Sequence, residues 1–168
     1  AKARAQAESS RQVADAARSR AEHLINDMLF DLRDKLEPLG RMPLLDQVAG
    51  SAQQYFDGIP PSDDNDQQQR NRAVMWQNRG SILLAKGDSK AAMQLFDQSL
   101  TLMKSRAAKK PNNVLCLHDL ALAHERMGLA HEAMNEVEMA AKHYQEMKHI
   151  FDHLAEHATG RQGCRRQL

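Results

Sequence analysis

The sequence predicts an all-α protein in which antiparallel helical hairpins follow one long N-terminal helix. Its composition is dominated by residues that favour helices, whereas aromatic residues make up only 4%. Apolar residues recur every three or four positions over long stretches, which is the period of an amphipathic helix. Glycine and proline mark the ends of several of these stretches, as they do between helices. We therefore expect helices throughout the 168 residues.

The first helix is predicted over Ala3–Leu36. Residues 1–20 begin with a polar and alanine-rich run, which buries little and is expected to form a helical connector. An apolar stripe with helical spacing develops from Val13 onward. Pro38 ends the helix, because proline lacks an amide donor and disfavours helical geometry in the residue before it.

A second helix is predicted over Pro43–Phe56, so that residues 21–57 form an N-terminal helical hairpin. Residues 58–69 read GIPPSDDNDQQQ and are predicted to be a loop, since two prolines and a polar run follow the glycine. The acidic residues of this loop lack the spacing and the glutamate of an EF-hand, so we interpret them as solvated.

Four more helices are predicted over residues 70–86, 89–109, 112–127 and 130–158. Gly87 and Gly128 are taken as the turns within two hairpins, and Pro111 separates the hairpins. Residues 70–158 would thus hold two hairpins of similar design. Residues 159–168 are polar with two glycines and are predicted to be a flexible tail.

The two hairpins resemble tetratricopeptide repeats. Counted from Gly87 to Gly128 the repeat is 41 residues long, against 34 in the family, which implies longer second helices. The resemblance implies an α-solenoid whose first helices line a concave groove. The signature positions of the first copy are Trp76, Gly80, Leu83, Gly87, Ala92, Phe96 and Ser99, and those of the second are Leu117, Leu120, Ala121, His124, Gly128, Ala133, Val137 and Ala140.

The run from Ala21 to Arg41 is similar to a segment that precedes such repeats in large bacterial signalling proteins. Those proteins carry a kinase, a TIR domain or a STAND ATPase before the repeats. The resemblance implies that this chain is a sensor or scaffold segment of a longer cytoplasmic signalling or defence protein, and the start at Ala1 fits a fragment. Cys116 and Cys164 are too few for a disulfide framework and are expected to be reduced.

The resemblance also implies a groove that binds a protein or peptide through apolar anchors and polar neighbours. An alternative role is oligomerisation, possible through a stripe near the C-terminus formed by Tyr144, Met147, Ile150, Phe151 and Leu154. The predicted partner-binding residues are Gln77, Ser81, Leu84, Leu115, His118, Leu122, Glu125 and Arg126.

Other functional classes find little support in the sequence. The 23 basic residues balance 22 acidic ones, so no nucleic-acid partner is expected, and no apolar run is long enough for a membrane span. No phosphate-binding loop or nucleophile motif occurs, so we predict no enzyme activity and no cofactor. His149, His153 and His157 lie four residues apart, but they are interpreted as surface residues rather than as a metal site.

Overall fold

The chain forms six helices and no strand within its described residues. The computed structural model describes the backbone of residues 2–60 and 64–165, and the side chains of residues 2, 4–60 and 64–156. The all-α prediction is therefore confirmed. The helices are α1 (Lys2–Leu36), α2 (Met42–Asp57), α3 (Asp66–Ala85), α4 (Ser89–Lys109), α5 (Val114–Ala133) and α6 (Val137–Arg165).

Helix α3 begins at Asp66, inside the segment that was predicted to be a loop. The Asn65 side chain accepts a hydrogen bond from the Gln68 amide, and the Gln68 side chain accepts one from the Asn65 amide. This reciprocal capping box satisfies two of the free donors of the first turn. The polar sequence that suggested a loop is thus a helix start, and of the predicted loop only residues 58–60 and 64–65 are described outside a helix.

The predicted turn at Gly128 is wrong, because this glycine lies inside α5. The chain turns instead at Met134–Glu136, where Asn135 has a φ of 64°. Asparagine tolerates this left-handed conformation better than most residues. Helix α6 accordingly starts at Val137 and continues to Arg165, past the predicted end at Ala158.

Each helix packs mainly on its neighbours in sequence. Helices α1 and α2 contact each other and both pack on α3, while α4 lies between α3 and α5, and α6 packs on α5. Direct contacts also join α3 to α5. One apolar cluster is centred on Phe96, Leu100 and Met103 of α4, and a smaller one joins Leu29 and Leu45 to α3.

The α3–α4 and α5–α6 hairpins repeat each other at an offset of 48 residues. A Cβ atom built on Gly80 would stand 2.4 Å from the Phe96 ring, and one built on Gly128 would stand 2.5 Å from the Tyr144 ring. Both aromatic residues follow their glycine by sixteen positions. The two turns obey the same offset, since Gly87 and Asn135 both have positive φ. The 41-residue offset is therefore replaced by 48, and Gly128 corresponds to Gly80.

Candidate interaction face

Helix α5 buries two sides and leaves a third free. Ala123 and Met127 pack into the apolar cluster of α4, whereas His124 and Gly128 face α6. Between these sides lie the five predicted partner-binding residues of α5. Leu115 and His118 are exposed, and Leu122, Glu125 and Arg126 are half-buried.

The predicted partner-binding residues of α3 are placed differently. Gln77 is buried, and its side-chain amide donates a hydrogen bond of 2.8 Å to the Ser99 hydroxyl of α4. Leu84 packs against the apolar cluster, and both Leu84 and Ser81 are half-buried. The offset of 41 residues placed these side chains on the wrong side of α3. Gln77 in particular is committed to the interior of the hairpin.

The offset of 48 residues assigns other residues of α3 to this face. The positions equivalent to His118, Leu122 and Arg126 are Arg70, Val74 and Asn78. These three line a cavity of about 180 Å³ between α3 and α1. The α1 residues around this cavity are His23, Asn26, Asp27 and Phe30.

The exposed wall of this cavity is Phe30, which is 48% accessible to solvent. The Arg33 guanidinium stacks over its ring at 4.7 Å, a cation–π contact that holds the aromatic side chain in place. The opposite wall includes the Asn26 side chain, whose Nδ2 donates to the Asn71 carbonyl. Its Oδ1 is buried and, among the described residues, has no hydrogen-bond partner. The cavity therefore combines an exposed ring with an unused polar acceptor.

The α1–α3 interface beside this cavity is unusually polar. Glu22 is fully buried, and its carboxylate accepts hydrogen bonds from Arg18 Nε at 2.7 Å and Asn71 Nδ2 at 3.2 Å. Asn71 Nδ2 also donates to the Ser19 carbonyl, and Asn78 donates to the Asn26 carbonyl. Buried polar groups are costly unless they are paired, so these bonds fix the position of α1 on α3.

An ion network fixes α3, α4 and α5 to one another. The buried Asp119 carboxylate of α5 receives two hydrogen bonds from Arg70 of α3, at 2.7 and 3.0 Å. It also accepts one at 3.1 Å from Arg106 of α4, which is 2% exposed. Bidentate arginine–carboxylate pairs define both distance and orientation. The network therefore sets the spacing between the free faces of α3 and α5.

The same network continues to the start of α3. Burial opposes ionisation of Asp66, but hydrogen bonds from Lys110 and Arg106 outweigh it and hold the pKa of this carboxyl below its ordinary value. Asp66 lies in the first helical turn, where a negative charge also interacts favourably with the helix dipole. The N-terminus of α3 is thus tied to the C-terminal end of α4.

A larger cleft of about 550 Å³ lies between α3 and α4, beside Trp76, Asp97 and Thr101. Its wall also includes Asp64 and Arg72, which are joined by a hydrogen bond of 2.6 Å. Arg72 further donates to the carbonyls of Phe56 and Ile59. These groups satisfy each other and close the end of α2, so we interpret this wall as structural.

The predicted oligomerisation stripe of α6 is largely covered. All five of its members are half-buried, and the Phe151 ring lies in edge contact with His118 at 5.8 Å. Tyr144 fits against Gly128, and its hydroxyl donates to Glu132 at 2.8 Å. The more exposed apolar residues lie on the N-terminal hairpin, where they include Leu24, Met28, Leu44, Val48 and Tyr55.

Within the described part of the chain, no group of three or more His, Cys, Asp or Glu side chains is placed to hold a metal ion. His149 is exposed on α6, and the side chain of His157 lies outside the described residues, as does that of Cys164. Cys116 is buried and unpaired. Among the described helices, none has the length and apolarity needed to cross a bilayer.

The chain matches no family model and no curated protein. Its function must therefore be argued from the face itself.

The sequence analysis identified the α5 half of this face and missed the α3 and α1 half. Arg70, Val74, Asn78 and Phe30 were not among the predicted residues. The signal that identifies them is the repeated pair of a glycine and an aromatic residue sixteen positions later, which gives the correct offset directly.

Proposed function

We propose that this chain is a protein-interaction module of the tetratricopeptide-like class, which binds a peptide or protein across α1, α3 and α5. The repeated hairpin with its glycine–aromatic contact supports the class. The observation that carries the proposal is the composite face, in which α5 residues continue into the α1–α3 cavity. In this role the module would act as a sensor or scaffold segment of a larger signalling protein.

The chemistry of this face suits a partner with apolar anchors and a few polar contacts. Leu115 is 47% exposed and Phe30 is 48% exposed, which gives two apolar positions on the face. The unused Asn26 acceptor lies beside the cavity and would be satisfied by an amide or ammonium donor from the partner. Aromatic anchors in pockets commonly dominate the energy of protein recognition.

Rigidity also favours recognition by this face. Arg70 lies in the face and is held in place by Asp119, so a partner would meet a fixed surface rather than a mobile one. A preorganised surface loses less conformational entropy when it binds. The surrounding polar contacts between α1 and α3 extend the same fixed geometry to Phe30.

The test is affinity capture from native lysate with wild type, Leu122→Glu and Val137→Glu, analysed by mass spectrometry. Leu122 lies on the proposed face, whereas Val137 is the exposed first residue of α6 and serves as the matched control. We expect a partner that wild type and Val137→Glu capture and that Leu122→Glu loses at least tenfold, with helicity unchanged. Equal capture by all three, or capture of the parent chain alone, would contradict the proposal and favour oligomerisation.

A further inference from the structure

The α5–α6 hairpin encloses three histidines between its helices. His124 and His131 on α5 are each 6% exposed, and His143 of α6 lies between them. The His124 and His143 rings are 5.3 Å apart, and the His143 ring stacks on His131 at the same centroid distance with an interplanar angle of 18°. At the equivalent positions 48 residues earlier, the α3–α4 hairpin has Trp76, Leu83 and Leu95.

The contact between His124 and His143 requires a particular protonation state. Their Nδ1 atoms are 3.1 Å apart, so one nitrogen donates and the other accepts. His131 is engaged separately, because its Nδ1 lies 2.6 Å from Glu136 Oε2. When both His124 and His143 carry two N–H groups, neither can accept, and two positive charges face each other within the same interface.

We propose that the His124–His143 pair is an acid-sensitive latch, which closes α5 on α6 while at least one ring can accept and loosens this hairpin when both rings are protonated. The latch is local to the second hairpin, since the first has apolar residues at all three positions. It is independent of the proposed partner-binding role.

Charged groups from every neighbouring helix were considered around this pair. Lys104 of α4 disfavours protonation of both rings, whereas Glu146 of α6 favours it. Lys90 and Asp97 of α4 flank His131 at a shared cleft and oppose each other in sign. Helix α3 contributes Arg70, whose charge is already matched by Asp119. No carboxylate accepts a hydrogen bond from either Nδ1 of the pair in the described structure.

The direction of the effect follows from the burial of the rings. Burial and then the facing imidazole lower the pKa of His124 from 6.5 to about 4, and burial together with His131 lowers that of His143. The loosened hairpin exposes the rings and binds protons more readily. The closed hairpin is therefore fully stable above about pH 6.5 and loses stability as the pH falls toward 4.

The experiment is amide hydrogen exchange of the full chain between pH 7.5 and pH 5, corrected for intrinsic exchange rates and run with a chelator present. The linkage relation predicts that opening of α6 increases by roughly 30-fold at pH 5 in wild type. It should increase much less in His143→Asn, since asparagine retains hydrogen-bonding capacity without titrating. His149→Asn, an exposed change on the same helix, should behave like wild type.

An acid response of equal size in α3 and α6, or one that His143→Asn leaves intact, would overturn the latch. So would a wild-type response that disappears when the chelator is present, because it would assign the ring pair to a metal ion. If His143→Asn does not fold, nuclear magnetic resonance of the wild-type imidazoles decides. His124 must stay neutral at a pH where exposed His149 is charged, and simultaneous charging of both would refute the proposal.

Discussion

The two hairpins α3–α4 and α5–α6 share one backbone plan but have different interiors. In each, an aromatic ring from the second helix fits against a glycine of the first, and the turn contains a residue with positive φ. The first hairpin has apolar residues where the second has its three histidines. One geometry therefore supports a purely apolar interior in one copy and a titratable interior in the other.

This difference follows the position of each hairpin in the chain of helices. Phe96 of the first hairpin is fully buried in a cluster that receives residues from α3, α4 and α5. Tyr144 of the second hairpin is half-buried, and its hydroxyl reaches the exposed side chain of Glu132. The first hairpin is covered on both sides by other helices, whereas α6 contacts mainly α5 within the described residues.

The largest effect is expected at the ion network that joins the two hairpins. Asp119→Ala leaves buried Arg106 without the carboxylate at 3.1 Å, and it also releases Arg70. Removing one partner of a buried ion pair costs about 3–5 kcal/mol, so the free energy of unfolding should fall by that amount in urea denaturation.

The control for this prediction is Asp152→Ala. Its partner Lys148 is 75% exposed in the side chain, and pairs of this kind contribute about 0–1 kcal/mol. Similar losses in the two variants would mean that the network does not hold the hairpins together.

A smaller and more selective effect is expected at the two glycines. Gly80→Ala should reduce stability by about 1–3 kcal/mol, because the fully buried Phe96 ring cannot retreat from a new methyl group. Gly128→Ala should cost less than about 1 kcal/mol. The half-buried Tyr144 can swing outward, and alanine is about 1 kcal/mol better than glycine within a helix.

Urea denaturation of the two glycine variants measures this difference, and Gly80→Ala combined with Phe96→Leu provides the check. The smaller side chain should restore part of the lost stability if the clash with the ring is the cause. Equal costs at the two glycines would contradict the distinction between the hairpins.

Much of the fold could be predicted from the sequence because helix ends carry local signals. The bounds of α4 agree at both ends, where Asp88 caps the first turn and a polar stretch follows Lys109. The α5–α6 turn could not be identified from glycine alone. Gly128 is needed for the close approach of Tyr144, and the turn uses an asparagine instead. A glycine thus indicates either a turn or a contact, and only its spacing to an aromatic residue distinguishes them.

The candidate face was harder to predict, because periodicity identifies a buried stripe but not the helix that covers it. Gln77 has the polarity of a surface residue, yet it is buried against Ser99. Asn71 and Glu22 are likewise buried, since α1 covers the polar side of α3. Such long-range pairing between positions about fifty residues apart leaves no pattern within either helix.

The most direct test of the interaction face is site-specific photo-crosslinking in native lysate. A photoreactive phenylalanine analogue would replace Phe30, Leu122 or Val137, one at a time, in the full chain. The account predicts that the variants at Phe30 and Leu122 crosslink to the same protein, and that the variant at Val137 does not. Crosslinks from Val137 alone, or only to a second copy of this chain, would contradict the assignment of α1, α3 and α5 as the recognition face.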